Sequence, residues 1–477
     1  MSLIDKELEA NRRNAQRREN ELIGKRKVGQ ILPEQIDLEM ALARFVFISE
    51  GTRVADLQSP AWDSTLFEFH KIFCSSVERV ITKKGDREVV NSKPITEMWL
   101  NDPLRKTTIS RTFKAGGERF LDDPDGKPSL NTWAGFPEFN EIEDYELKET
   151  QAHLFFDHIR FLFGDQSEAF LDWLAHIQQK PHELPHFGWI HVATQTGMGR
   201  NWVACVLTRL WSGSVAPSFD LIGALKTNFN GELSRKVLAI VDEIHEGGSG
   251  KQWEHAEKLK ELITLDKRQI NPKYGRKSCE FNSCRWLIFS NHLSAIPLER
   301  NDRRFAVKTI EEQPKGLDYY STLYALMDDP MFLAGVSKIL KERDIRHFNA
   351  GKTPEMTQDK KALIEQNMGE EDYWCDLLVR YWDSDVITNE QYALLLTGRE
   401  DGRTPHKNIA NRFGIKAYEK PIKLGDKMQR VKVIRNHHLW MNTYPYQLVK
   451  ALSQLKPIET PRERIESLMN SDDSRPF

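Results

Sequence analysis

Three apolar runs of strand length dominate the middle of this chain: GWIHVAT (188–194), KVLAIVDE (236–243) and CRWLIFSN (284–291). Each ends in polar residues, and helix-like stretches lie between them. Near-continuous apolar strands alternating with helices are the pattern of a parallel sheet covered on both faces, so an α/β centre is expected. The first run opens into TQTGMGRN (194–201) and then WVACVLTRLW (202–211). A strand, a glycine-containing turn and a helix in that order aim backbone N–H groups at a helix N-terminus, where phosphate binds well.

A chain of 477 residues is long for one domain, and two to four are expected. Apolar residues at 39% and charged residues at 29% suffice for packed cores. A net charge of −2 excludes a uniformly basic nucleic-acid coat but leaves local patches open. The five cysteines form no CxxC pair, which points to a reducing compartment and no structural zinc. No apolar run approaches the ~20 residues of a membrane span. MSLIDKELEANRRNAQRRE lacks an apolar signal core, so an intracellular protein without a membrane partner is expected.

Residues 1–30 are polar, helix-prone and rich in Arg and Lys, which fits either a solvated helix or an arm that touches phosphates. Between 36 and 145, ALARFVFI, VERVITKK and TTISRTF have strand composition, and DDPDGKPSLNTWAGFP has loop composition. Two helices are predicted over 146–185 from apolar spacing, closed by Gly164 and Pro181. After 312 the pattern is helical again, with a polar linker near 349–360. NEQYALLL, HKNIANRFGI and a strand pair turning at Leu424-Gly425-Asp426 suit a mainly helical C-terminal domain of winged-helix shape. The expected division is 1–145, an N-terminal arm and small α+β domain; 146–345, a helical brace and α/β core; and 346–477, the C-terminal domain.

Four elements carry the chemistry. The turn offers Thr196, Gly197, Met198 and Gly199, then Arg200 and Asn201. A usual P-loop starts with Gly and ends in Lys and Ser or Thr; here Thr194, Arg200 and Asn201 hold those places. Arg200 can reach a phosphate as a planar fork, and Asn201 offers an amide oxygen to Mg²⁺. The second run ends in Asp242-Glu243, the Walker B arrangement, with Asp242 expected to hold Mg²⁺ and Glu243 to activate the attacking water. The third ends in Asn291, a sensor for a γ-phosphate. Arg303 and Arg304 follow soon after and suit an arginine finger offered to a neighbouring subunit. Taken singly, each has a plain alternative: a ligand-free turn, solvated acids, a strand-end Asn, or surface ion pairs.

In this order and spacing, the four elements resemble the superfamily 3 helicases of small viruses, phages and mobile elements, built on an AAA+ core, and most closely the D5-like phage primase-helicases. The likeness extends to LITLD (262–266) with INPKY (270–274), and to LNTWAGF (130–136) ahead of the core; it covers about residues 95–310. It implies a P-loop AAA+ fold binding ATP and Mg²⁺. It further implies a homo-oligomeric ring, expected to be a hexamer, in the cytoplasm of a bacterial host. DNA contacts are expected from a hairpin carrying Lys273 and Tyr274, with Lys267 and Arg268 as further candidates. The implied partners are single-stranded or forked DNA and a separate primase or polymerase. Only about 145 residues precede the core, with no evident carboxylate cluster for polymerisation, so no priming activity is expected. The departures at Arg200 and Asn201 put ATP turnover in question and leave a DNA-bound replication scaffold as the alternative.

The acid pair yields a direct test. Glu243→Gln is expected to keep ATP binding and lose nearly all turnover. Hydrolysis within about threefold of wild type, a barrier change of only ~0.7 kcal/mol, would remove Glu243 from the mechanism.

Overall fold

The computed structural model of the chain describes residues 34–84, 87–139, 145–242, 252–292, 296–299, 301–398, 407–453 and 460–471. The basic N-terminal segment and Glu243 lie outside the described residues.

The centre is a five-stranded sheet. Its strands are β1 (Gly188–Ala193), β2 (Val215–Ala216), β3 (Leu238–Asp242), β4 (Arg285–Ser290) and β5 (Phe305–Ile310). They lie in the order β2-β3-β4-β1-β5, and every pair is parallel. The alternation of side chains along each strand divides the apolar residues cleanly between two layers. Trp189, Leu238, Ile240, Leu287 and Phe289 join one core. Ile190, Val192, Ala239, Val241, Trp286 and Ile288 join the other. All six residues of β1 and of β4 are buried, which is why these runs read as continuously apolar.

The first layer is built by helices α1 (Tyr145–Phe163), α2 (Ser167–Gln179) and α3 (Arg200–Leu210), with the helix Pro330–Glu342. Phe163 stacks on Phe170 with ring centroids 3.8 Å apart, and both meet Trp189 edge-on. The helix Gln252–Thr264 supplies Ala256, Leu259 and Ile263 to the second layer. Leu363 and Ile364 of the helix Gln358–Gln366 join it, so the core extends past the boundary expected at 345.

Two buried cations fix this core. Arg285, 1% exposed at the start of β4, donates to the carbonyls of Lys180, Pro181, Glu183 and Ser283. The first three follow α2, so the guanidinium caps the carbonyl end of that helix. Burial pulls its pKa down to about 10. Lys360 is fully buried; its Nζ lies 3.1 Å from Asp302 Oδ1 and donates to the Asp302 and Phe305 carbonyls at 2.7 and 2.8 Å.

The N-terminal unit holds a four-stranded sheet in the order Ser59–Thr65, Arg53–Asp56, Phe45–Ile48, Lys106–Thr108. Phe45, Phe69 and Trp99 form its aromatic centre. ALARFVFI is only half strand: Asp37 Oδ1 accepts from the Met40 N–H and starts a helix, Leu38–Arg44. The stretch predicted as loop over 122–137 contains the strand Pro128–Asn131, whose neighbours in its sheet are Ser110–Thr112 and Phe120–Asp122.

The C-terminal unit packs the helices Glu370–Tyr381, Asn389–Thr397 and Pro461–Ser471 around Cys375, Leu378 and Leu395. Beside them stand a three-stranded antiparallel sheet (Val386–Thr388, Val431–Val433, Lys416–Ala417) and a hairpin (Ile422–Leu424 with Lys427–Gln429). No helix among the described residues is long and apolar enough to cross a membrane.

Lys360→Met leaves the buried Asp302 carboxylate without its cation. The expected loss is about 3–5 kcal/mol, read as a lower urea midpoint by tryptophan fluorescence. Adding Asp302→Asn should recover part of it.

Candidate functional site

Between β1 and α3 the backbone must reverse within a few residues, and two glycines permit it. Gly197 (φ +77) and Gly199 (φ +83) occupy the left-handed region. A Cβ on Gly197 would meet nothing within 4 Å, so this part of the turn faces open space. A Cβ on Gly199 would lie 2.6 Å from His158 Nε2. Met198, 1% exposed, anchors the turn in the first core layer. Gly199 is the N-cap of α3 and supplies no side-chain acceptor, so the first-turn amides of the helix have no side-chain cap. Thr196 and Asn201 are exposed at either end.

Behind the turn stands His158. Its Nε2 lies 3.4 Å from the Gly199 carbonyl and its Nδ1 3.1 Å from the Tyr319 hydroxyl. Burial pushes its pKa down to about 4, so the ring is neutral at pH 7. A carbonyl can only accept, so Nε2 donates to Gly199 and Nδ1 accepts from Tyr319. Sequence reading missed this residue, because a histidine within an amphipathic helix gives no sign of what it supports.

Sheet order brings three of the predicted residues to one place. Because β4 lies between β1 and β3, Asn291 leaves the sheet beside the turn. Arg200 donates from Nη1 to the Ser290 carbonyl at 2.7 Å and from Nη2 to Asn291 Oδ1 at 2.5 Å. Its guanidinium lies 5.7 Å from the centre of the Phe289 ring. Asp242 ends β3 in register with Phe289 and is exposed. The chain leaves β1 toward β2 on one side and leaves β4 toward β5 on the other. The gap between β1 and β4 is therefore a topological switch point, where open α/β sheets bind ligands at the carboxyl ends of their strands.

Arg303 and Arg304 lie elsewhere. They precede Phe305, which pairs with Gly188, the first residue of β1. The Gly188 N–H donates to the Arg304 carbonyl at 2.9 Å. The pair therefore stands at the amino edge of the sheet, a six-residue strand or roughly 20 Å from the turn. Arg303 is exposed and Arg304 partly buried.

The predicted hairpin forms between Lys267–Ile270 and Ser278–Phe281 and leads into the start of β4, at the same amino edge. The Asn271 N–H donates to Asn230 Oδ1 at 2.7 Å, and Asn271 Nδ2 donates to the Asn228 carbonyl at 3.0 Å, which fixes the base of its tip. Lys273 is exposed with its Nζ 5.3 Å from the centre of the Tyr274 ring, and Tyr274 is 91% exposed. Lys267 is exposed and lies 3.2 Å from Asp125. Arg268 is a correction: it points inward, 4% exposed, and donates to the Leu233 carbonyl at 3.1 Å, out of reach of DNA. The strand burial alternates, and Arg268 falls on the buried side. Arg276 and Lys277, which sequence reading passed over, are exposed on the same tip.

A family of unknown function (DUF5906) matches residues 192–304, from the end of β1 to Arg304. The DNA primase-polymerase of Nitratiruptor phage NrS-1 is 26% identical over 196 residues, which is 41% of this chain and 27% of that protein. The apo structure of the NrS-1 C-terminal region superposes with a TM-score of 0.50 at 17% identity, covering 80% of this chain and all of the other. A looser match is to the JCV helicase, with a TM-score of 0.28 at 13% identity over 52% of this chain and 64% of the other.

Burial of His158 behind the turn and of His191 inside β1 ties the stability of the core to pH. His191 is fully buried, contacts the Leu162 carbonyl at 3.0 Å, and burial pushes its pKa down to about 3. Both rings sit below the ordinary value of about 6.5. Their contribution to stability is therefore complete above pH 6.5 and declines as pH falls toward 4 and 3. The thermal midpoint should drop from pH 7 to pH 5, and His158→Asn should flatten that slope.

Proposed function

We propose that this chain, a relative of the phage primase-helicase family, is an ATP-driven DNA helicase that works as a ring. One observation carries the reading: the uncapped start of α3, the Arg200–Asn291 pair and Asp242 meet at the switch point of a parallel sheet. Backbone amides from Gly197 onward would cradle phosphate oxygens, and the open space over Gly197 leaves room for them. Asp242 and the Asn201 amide would hold Mg²⁺; both are hard oxygen donors, as that ion requires. The ion, when bound, neutralises phosphate charge. Glu243, next after Asp242, would take the proton of the attacking water. Asn291 would sense the terminal phosphate through its link to Arg200.

Distance supports the ring reading: Arg303 and Arg304 stand at the far edge of the sheet from the turn of their own subunit, where an arginine finger would be offered to a neighbour. Lys273 and Tyr274 would grip a single strand of DNA, the cation on phosphate and the ring on a base.

A DNA-bound scaffold without turnover is the second reading. It is favoured by the Arg200 fork, which is already engaged by Ser290 and Asn291. ATP hydrolysis with and without single-stranded DNA separates the two. The helicase reading expects DNA-stimulated turnover, nucleotide binding lost in Arg200→Ala, and binding kept in Arg200→Lys. A wild type that binds no nucleotide, or binding indifferent to Arg200→Ala, establishes the scaffold.

Lys273→Ala tests the hairpin. Single-strand binding across a salt series should lose a little under one unit of slope per engaged subunit, and the DNA-stimulated part of turnover should fall. Salt curves superimposable on wild type would exclude the hairpin from the DNA path.

A further inference from the structure

The C-terminal unit carries a surface that the nucleotide site does not use. Tyr444 and Tyr446 flank Pro445 at the start of the helix Pro445–Ser453. They are 71% and 68% exposed, and their rings stack in parallel at 17°, with centroids 6.2 Å apart. An exposed pair of large aromatic rings sacrifices the hydrophobic gain of burying them. The surrounding fold nevertheless holds them in place. The Tyr418 hydroxyl donates to the Thr443 carbonyl at 2.8 Å, just before the pair. Leu448 and Leu452 of the same helix pack with Ile422, and Leu424 lies against them, so the helix lies on the hairpin.

The stretch of sequence that carries this pair is one-sided in charge. Residues 416–450 contain eight Lys and Arg against two acids, in a chain whose net charge is −2. Arg435 is occupied by Asp385 and nearby carbonyls, and Lys432 lies over the Tyr392 ring. The other six, Lys416, Lys420, Lys423, Lys427, Arg430 and Lys450, are exposed. Lys423 sits opposite Met428 across the hairpin, beside the Leu424 and Lys427 pair.

We propose that the Tyr444–Tyr446 pair, with the exposed cations of the helix that carries it and of the hairpin packed beneath, is a second binding surface for single-stranded nucleic acid, distinct from the 271–277 hairpin. The cations select a polyanion, and the exposed ring faces select unpaired bases, since a duplex keeps its bases stacked on one another. A protein partner would also cover apolar rings, but an acidic strand matches both the charge and the aromatic faces.

The test uses the full chain and a labelled oligothymidine, read by fluorescence anisotropy without nucleotide, with circular dichroism of each variant as the fold control. Tyr444→Ala/Tyr446→Ala should weaken binding at least about fivefold with little change in salt slope, because stacking is uncharged. Tyr444→Phe/Tyr446→Phe should bind as wild type. Lys423→Ala/Lys427→Ala should lower the salt slope. The assay contains no nucleotide, so its outcome does not depend on the ATPase reading. Wild-type affinity in the alanine pair overturns the proposal. So does an alanine pair that binds DNA normally but changes oligomeric state, which would assign the rings to a protein contact.

Discussion

A strand in a parallel sheet with both faces covered can present polar chemistry only at its ends. β1, β3 and β4 are buried along their lengths, and they deliver Thr194, Asp242 and Asn291 to the same carboxyl edge. Strand order then decides which of these residues are neighbours. With β4 between β1 and β3, Asn291 stands next to the glycine turn, and Arg200 joins helix to strand across the gap. The same rule sends Arg303 and Arg304 to the opposite edge, because they precede their strand instead of following it. The division between a carboxyl edge bearing the glycine turn and an amino edge bearing the hairpin is thus fixed by chain direction.

Much of this was legible in the sequence. The three strands of the core announce themselves because burial on both faces demands nearly unbroken apolar composition. The glycine turn, Asp242 and Asn291 follow from where those runs stop. The hairpin was expected only from the resemblance carried by LITLD (262–266) and INPKY (270–274), not from local turn chemistry. Other features were not, for reasons that lie in tertiary structure. In KRQI nothing local says which of Lys267 and Arg268 faces inward; the packing of the N-terminal unit and the 228–233 segment against the hairpin decides it. Arg285 reads as a polar interruption, yet it is among the most buried side chains, because the carbonyls after α2 converge on it. His158 supports the turn from a helix that precedes β1, a contact no periodicity reveals.

The glycine at 199 illustrates how closely the turn is fitted. Its left-handed φ excludes most side chains, and the imidazole behind it would exclude the rest. The turn is therefore shaped from two sides, by backbone geometry in front and by a neutral ring with both nitrogens engaged behind. Asn201 and Thr196, at its ends, are exposed, as is Gly197, so the buried contacts of the turn are those of Met198 and Gly199.

The Lys360–Asp302 pair has a mechanical meaning. Asp302 also accepts from the Arg304 and Phe305 N–H groups, so one carboxylate organises the start of β5 while its other partner sits on the helix Gln358–Gln366. That helix leads directly into the C-terminal unit. The residues between 343 and 357 form an irregular path that could absorb slack, but the ion pair bypasses it with a short rigid strut. The segment that holds Arg303 and Arg304 is thereby tied to the start of the C-terminal unit by a few side-chain atoms instead of by the 343–357 path.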